Sequence, residues 1–196
     1  MSDWLGLSGR RGGALSEAPD ATPRPGRLRL LGPFNALLYA PGIGDAVQRL
    51  GAALRFEGSL PARTRELVGC AVAAHWESGY EWYAHSRMAR AAGVSDEELD
   101  QVRQGATPAG LAPEDSAALR LAGALLRDRA VDEAGYADAV TRHGEAPGAE
   151  IALLVGYYQA LAGLLATVDV PAPVDPHPPP LGGPGPLSAP DVPPRP

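Results

Sequence analysis

Apolar residues recur at intervals of three and four through the middle of the chain, which is the spacing of amphipathic helices. The clearest case lies at residues 43–54, where Ile43, Val47, Leu50 and Leu54 fall on one face. No run of alternating apolar and polar residues is long enough to predict a strand. The pattern therefore predicts an all-α fold, with helices over residues 33–39, 43–54, 60–76, 79–92, 95–105, 113–129, 132–143 and 148–168.

The helix over residues 60–76 is predicted to be central, because its residues 67–74 are apolar on every side. Ser59 is predicted to be its N-cap, with Pro61 in the first turn, where the missing N–H costs nothing. The sequence Ser-Asp-Glu-Glu at residues 95–98 predicts a capping box at the start of the fifth helix.

Both ends of the chain lack this periodicity. Residues 1–32 mix Gly, Pro, Arg and Ser and are predicted to form a flexible arm. Residues 171–196 contain 12 prolines among 26 residues, a composition that favours polyproline II or disorder over helix. One helical domain is therefore predicted over residues 33–170.

Composition narrows the possible functions. Hydrophobic residues make up 45% of the chain, enough for a core, and the net charge of −6 argues against nucleic-acid binding. All 17 basic residues are arginine, so no lysine Schiff base can form. Cys70 is the single cysteine, and residues 1–26 do not resemble a signal peptide. We expect a cytoplasmic protein.

The stretch over residues 151–168 carries no charge and approaches the length of a membrane span, which is about 20 residues. It contains Gly156, Tyr157 and Gln159, however, and no arginine cluster follows it. It is predicted to be a core or subunit-interface helix, and no membrane contact is expected.

The candidate chemistry lies on the two helices over residues 60–76 and 79–92. Glu81 and His85 are four residues apart and so share one helix face. If the two helices pack antiparallel, Glu66 could approach that face and complete a Glu–Glu–His cluster. Burial and neighbouring carboxylates could then hold one group protonated and another ionised, as general acid–base catalysis requires.

Purely structural roles are also open for the same residues. Glu81 could cap its own helix, since a serine lies three residues before it. His85 could be a core histidine, and Glu66 could pair with Arg63 or Arg65 on a solvated face. Spacing marks only two metal ligands here, Glu81 and His85, so no metal is predicted.

Aromatic residues flank the cluster. Trp76, Tyr80 and Trp82 could line a pocket for a flat or unsaturated ligand, or could be ordinary helix packing. His75 could reach the same cavity, although helix spacing puts it roughly opposite Glu66. Cys70 lies within the apolar run and is predicted to be structural, because burial raises the pKa of a thiol.

Three segments resemble the carboxymuconolactone decarboxylase family: LPARTREL at residues 60–67, YEWYAH at 80–85 and SRMARAAGVSDEELDQVRQG at 86–105. The resemblance extends over about residues 32–170. It implies the helical bundle of the alkylhydroperoxidase D proteins, assembled as trimers or hexamers.

The redox relatives of that family carry a Glu, a Cys-x-x-Cys pair and a His. The resemblance places the Glu at Glu66, the His at His85 and the two cysteines at Ser78 and Glu81. Both thiols are therefore absent, and Cys70 is too far from these positions to substitute. This argues against peroxidase or disulfide-reductase activity, although a residual redox role for Cys70 stays a third alternative.

The decarboxylase branch implies a cofactor-free reaction on an unsaturated lactone acid. Glu66, Glu81 and His85 would transfer protons, and Arg63 could bind a substrate carboxylate. We therefore expect a lyase or decarboxylase, or an isomerase or cyclase, acting on a small carbonyl or enol compound in aromatic catabolism or natural-product biosynthesis. The alternative is a non-catalytic scaffold oligomer that binds partners through its tail.

Overall fold

The structure is a computed structural model that describes residues 33–37, 40–168 and 171–173. These residues form eight helices and no strand, which confirms the all-α fold. The predicted arm, and the proline-rich tail beyond residue 173, lie outside the described residues. The helices are α1 (Pro33–Leu37), α2 (Pro41–Phe56), α3 (Ala62–His75), α4 (Gly79–Ala91), α5 (Asp96–Arg103), α6 (Pro113–Arg127), α7 (Glu133–His143) and α8 (Glu145–Val168).

Helix α3 is the centre of the fold, as its apolar run predicts. It packs against α4, α5, α6 and α8, and Leu67, Val68 and Val72 on it are fully buried. Burial on all sides explains why α3 has no apolar stripe on one face. Two apolar clusters meet at α3; the first includes Val68, Val72, Leu121, Leu126, Ile151, Leu154 and Leu161, and the second includes Leu67, Cys70, Trp82, Leu99, Val102 and Leu119.

The start of α3 differs from the prediction. Pro61 is the N-cap and Ser59 is not; instead, the backbone N–H of Ser59 donates to both carboxylate oxygens of Glu150, at 3.0 and 2.9 Å, and its hydroxyl donates to one of them at 2.9 Å. These bonds fasten the α2–α3 loop to α8. The N-cap prediction is wrong because the hydroxyl of Ser59 bonds to the Glu150 carboxylate and not to the first turn of α3. The local sequence could not indicate this acceptor, which is 91 residues away.

Other helix ends follow local sequence. The capping box is confirmed, because the hydroxyl of Ser95 accepts from the N–H of Glu98 at 3.2 Å and the Glu98 carboxylate accepts from the N–H of Ser95 at 2.8 Å. Asp132 caps α7 as predicted, by accepting from the N–H of Gly135 at 2.8 Å. Helix α8 begins three residues before the predicted start, and Pro147 fits in its first turn.

Within the described residues, α8 is the one helix that is long and apolar enough to cross a membrane. It packs against α3, α6 and α7, and its residues Ile151, Leu154 and Leu161 are in the core. Helix α8 is therefore a core helix, as the sequence predicts, although Leu153 on its outer face is 56% exposed.

Candidate functional site

His85 lies between two carboxylates in the interior of the protein. Its Nδ1 is 2.8 Å from Oε2 of Glu66, and its Nε2 is 3.2 Å from Oε2 of Glu81. The exposed fractions are 1% for His85, 2% for Glu66 and 4% for Glu81. The structure thus brings the three candidate residues together, and we call them the Glu–His–Glu cluster.

The local sequence shapes the space around the imidazole. A Cβ built on Gly69 of α3 would lie 2.8 Å from Nδ1 of His85, closer than real Cβ contacts, so glycine leaves the room that the ring occupies. Tyr158 of α8 packs edge-on to the same imidazole, with ring centroids 4.3 Å apart and ring planes at 71°. The His85 ring is therefore held in one orientation by packing as well as by hydrogen bonds.

The charges around the cluster fix its protonation state. Burial alone would raise the pKa of Glu66, but the hydrogen bond from His85 and the cations Arg55 and Arg65 outweigh it, so this pKa is lowered. Nη1 of Arg55 donates to Oε1 of Glu66 at 3.0 Å, and Nε of Arg65 lies 3.6 Å from the same oxygen. Glu66 is therefore ionised at neutral pH.

For His85 the balance favours the charged form. Burial lowers its pKa, but the hydrogen bonds with Glu66 and Glu81 and their negative charges raise it further, to about 9. At neutral pH the imidazole is protonated, and both ring nitrogens carry hydrogens that point at carboxylates. The cluster thus contains a protonated imidazole in a buried site.

Two of the three structural alternatives for the cluster do not match this geometry, whereas a core histidine with both ring nitrogens hydrogen-bonded does match it. Ser78 is the N-cap of α4 but accepts no capping hydrogen bond, and the Glu81 carboxylate contacts His85. Glu66 is buried, not on a solvated face. The cation that hydrogen-bonds to Glu66 is Arg55 at the end of α2, and the spacing of residues along one helix could not predict that contact. The catalytic roles of the three residues stay a prediction.

Arg63 does not join the cluster. Its Nε donates to Asp115 at 2.8 Å, its Nη2 to Glu98 at 2.6 Å, and its Nη1 to the carbonyl oxygen of Gly93. Asp115 also accepts from the hydroxyl of Thr64 at 2.7 Å. Arg63 thus ties α3 to α5 and α6 with a hydrogen bond from each of its three guanidinium nitrogens, and the geometry gives no support to the predicted substrate contact.

The four predicted lining residues separate in the structure. Trp82 is buried in the second apolar cluster, beneath the guanidinium of Arg103 at 5.4 Å. Trp76 is 42% exposed and lies by Gly163 of α8. His75 lines a cavity that contains no member of the Glu–His–Glu cluster. Tyr80 is half-buried, and burial and then the charge of the adjacent Glu81 raise its pKa.

Tyr157 of α8 belongs to this region and was not a sequence candidate. Its hydroxyl is buried with no hydrogen-bond partner in the described part of the chain and lies against Gly51 of α2. Burial and then the charge of Glu81 raise its pKa. The one available signal was polarity, since Tyr157, Tyr158 and Gln159 together interrupt the apolar run of α8.

Thiol chemistry finds no support in the structure. Cys70 is fully buried, and burial and then the charge of Glu66 raise the pKa of its thiol. A thiol with a raised pKa is a poor nucleophile at neutral pH. No group of three His, Cys, Asp or Glu side chains suited to a metal ion occurs among the residues that the structure describes.

The bundle of helices around α3 has the alkylhydroperoxidase D-like fold. Residues 41–124 match the model of the Carboxymuconolactone decarboxylase family, and this match confirms the resemblance in the sequence. A search of curated proteins finds no match.

Solved structures support the same fold. The chain is similar to the debrominase Bmp8, at 16% identity with a TM-score of 0.62 over 72% of this chain and 76% of that one. An alanine variant of Bmp8 in complex with 2,3,4-tribromopyrrole matches at 17% identity and a TM-score of 0.60, over 70% and 74% of the two chains. A putative antioxidant defence protein AhpD of unknown function from Agrobacterium tumefaciens matches at 13% identity with a TM-score of 0.65, over 72% of this chain and 97% of that one.

Proposed function

We propose that the chain is a cofactor-free acid–base enzyme of the lyase or decarboxylase type. Its substrate would be a small unsaturated carbonyl, lactone or enol acid, and isomerase or cyclase reactions on the same compounds use the same chemistry. The observation that carries the proposal is the protonated His85 held between two buried carboxylates. The family match supports a catalytic role of this kind.

The proposed decarboxylation needs one proton and no oxidant. The bond between the ring carbon and the substrate carboxylate breaks, CO2 leaves, and the electron pair moves into the conjugated carbonyl. A proton is then added to the carbon. His85 supplies this proton through Glu81 at its Nε2, while ionised Glu66 holds Nδ1 and balances the charge.

The division of roles follows from the surroundings of each carboxylate. Glu66 is anchored by Arg55 and Arg65, so it would act as a positioning residue that stays ionised. Glu81 has only His85 as a hydrogen-bond partner in the described structure and lies near the unpartnered hydroxyl of Tyr157. We therefore assign proton exchange with the substrate to Glu81 and His85, and contact with a polar substrate group to Tyr157.

A homo-oligomer, trimeric or hexameric, is also part of this proposal. Large apolar side chains are exposed on α2 and α8, with Ile43 66%, Phe56 63% and Leu153 56% exposed. Such side chains on a single chain favour contact with a second copy. Native mass spectrometry would show a trimer or hexamer, and a monomer at micromolar concentration would contradict this part of the proposal.

The test is release of CO2 from a panel of small unsaturated lactone and keto acids. We expect at least one compound to be turned over, and His85→Gln to lower kcat by about 100-fold or more, the usual contribution of a general acid. Glu97→Gln, which changes an exposed glutamate on α5, is the matched control. Thermal melting would show that each variant is folded.

Two results would contradict the proposal. One is full turnover by a folded His85→Gln variant, because the proton would then come from elsewhere. The other is no turnover of any panel member combined with a native-pathway function that survives Glu66→Gln, which would favour the scaffold alternative.

A further inference from the structure

A cavity lies on a different face of α3 from the Glu–His–Glu cluster. Its volume is about 210 Å³, and it is a half-open cleft bordered by α3, α5, α6 and the loop over residues 104–107. No member of the cluster lines it. The floor is apolar and includes Ala71, Ala74, Leu119 and Leu126.

Two of the side chains that line this cavity are arginines, and a third is a histidine. Arg103 comes from the end of α5, Arg127 from the end of α6, and His75 from the end of α3. None of the lining residues is acidic, and neither arginine forms an ion pair with a carboxylate in the described part of the chain. Two guanidinium groups beside apolar lining residues, neither with a carboxylate partner among the described residues and one of them stacked on Trp82, match a ligand with a carboxylate at one end.

A glycine in α6 makes room for one of these arginines. Glycine within a helix costs about 1 kcal/mol relative to alanine. At Gly123, however, a Cβ would lie 2.8 and 2.9 Å from the two terminal nitrogens of Arg127. The glycine therefore lets the Arg127 guanidinium fold back over α6 toward the cavity that Gly123 also lines.

We propose that this cavity binds a small monocarboxylic acid with an apolar, one-ring or branched body. The carboxylate pairs with Arg103 and Arg127, and the apolar part lies on the alanine and leucine floor. A cavity of about 150 Å³ is enough for benzene, so the volume here suits a one-ring acid. The site is separate from the acid–base cluster and does not depend on its proposed reaction.

Calorimetric titration with benzoate tests the proposal, with benzamide as the uncharged analogue. We expect saturable binding of one benzoate per chain and at least about tenfold weaker binding of benzamide, which corresponds to about 1.4 kcal/mol. Arg127→Met should weaken benzoate binding to a similar extent. Arg120→Met removes the same charge from the same helix, outside the cavity, and should leave binding unchanged.

Gly123→Ala separates geometry from charge. The variant keeps both arginines, and the displaced group is the mobile end of a side chain, so the fold should be retained. Benzoate binding should nevertheless weaken several-fold, because the guanidinium must move. The proposal is overturned if benzoate does not bind saturably, if benzamide binds equally well, or if Gly123→Ala and Arg127→Met bind benzoate as tightly as Arg120→Met does.

Discussion

The raised pKa of His85 makes the stability of the protein depend on pH in a calculable way. The imidazole has a pKa of about 9 in the folded chain, against about 6.5 when unfolded. A group whose pKa is raised by folding stabilises the fold fully below its unfolded pKa and loses that contribution as pH rises through its folded pKa. For His85 the loss occurs mainly between about pH 7 and pH 9.

The size of the effect follows from the two pKa values. Linkage gives a fall of roughly 2 kcal/mol in the free energy of unfolding between about pH 7 and pH 9. Urea unfolding at a series of pH values measures it. Tyrosines with raised pKa values add further losses only above about pH 10. Cys70, whose unfolded thiol has a pKa of about 8.5, adds a smaller loss near pH 9 that His85→Gln leaves in place.

The matched comparison is His85→Gln against His75→Gln, which removes an exposed histidine from the neighbouring helix. The first variant should be less stable and should lose most of this pH dependence, while the second should keep it. Imidazole NMR titration of the wild-type protein provides an independent reading if His85→Gln does not fold. A wild-type stability that is flat over this range, or a His85 titration near 6.5, would refute the reasoning.

Three further predictions concern the surroundings of the cluster. Gly69→Ala should lower the free energy of unfolding by about 1–3 kcal/mol in urea, as overpacking does, because the new Cβ meets the His85 ring. The control Gly156→Ala should be neutral or stabilising, because no atom lies within 4 Å of the new Cβ. Tyr157→Phe should leave thermal stability unchanged or higher, since the hydroxyl has no partner among the described residues, yet should raise KM for the substrate. Cys70 should react with a thiol reagent only as fast as the protein unfolds, and rapid labelling in the folded state would restore the thiol alternative.

The local sequence pattern was sufficient to predict the helices and the approach of Glu66, Glu81 and His85 to one another. Periodicity of three and four places the helices, and i, i+4 spacing puts Glu81 and His85 on one face. Adjacent helices joined by a short turn pack antiparallel, which is why Glu66 on α3 reaches the face that α4 presents. The buried run of α3 correctly predicts that this contact lies in the core.

Contacts between distant segments could not be predicted from the pattern. Arg55 reaches Glu66 from the end of α2, and Glu150 binds the backbone at Ser59 across 91 residues. Arg63 was considered a substrate ligand on charge alone, whereas its partners come from α5 and α6. Each case depends on which helix ends meet in space, and no spacing along one helix contains that information.

The proposed mechanism requires Glu81 and His85 to pass a proton to a substrate carbon. Proton NMR of the product formed in D2O by the wild-type protein, Glu81→Gln and the control Glu97→Gln tests this step. We expect one deuterium at the carbon that lost the carboxylate, formed at wild-type rate by the control and at least about 100-fold more slowly by Glu81→Gln. Equal rates of deuteration in a folded Glu81→Gln variant would contradict it.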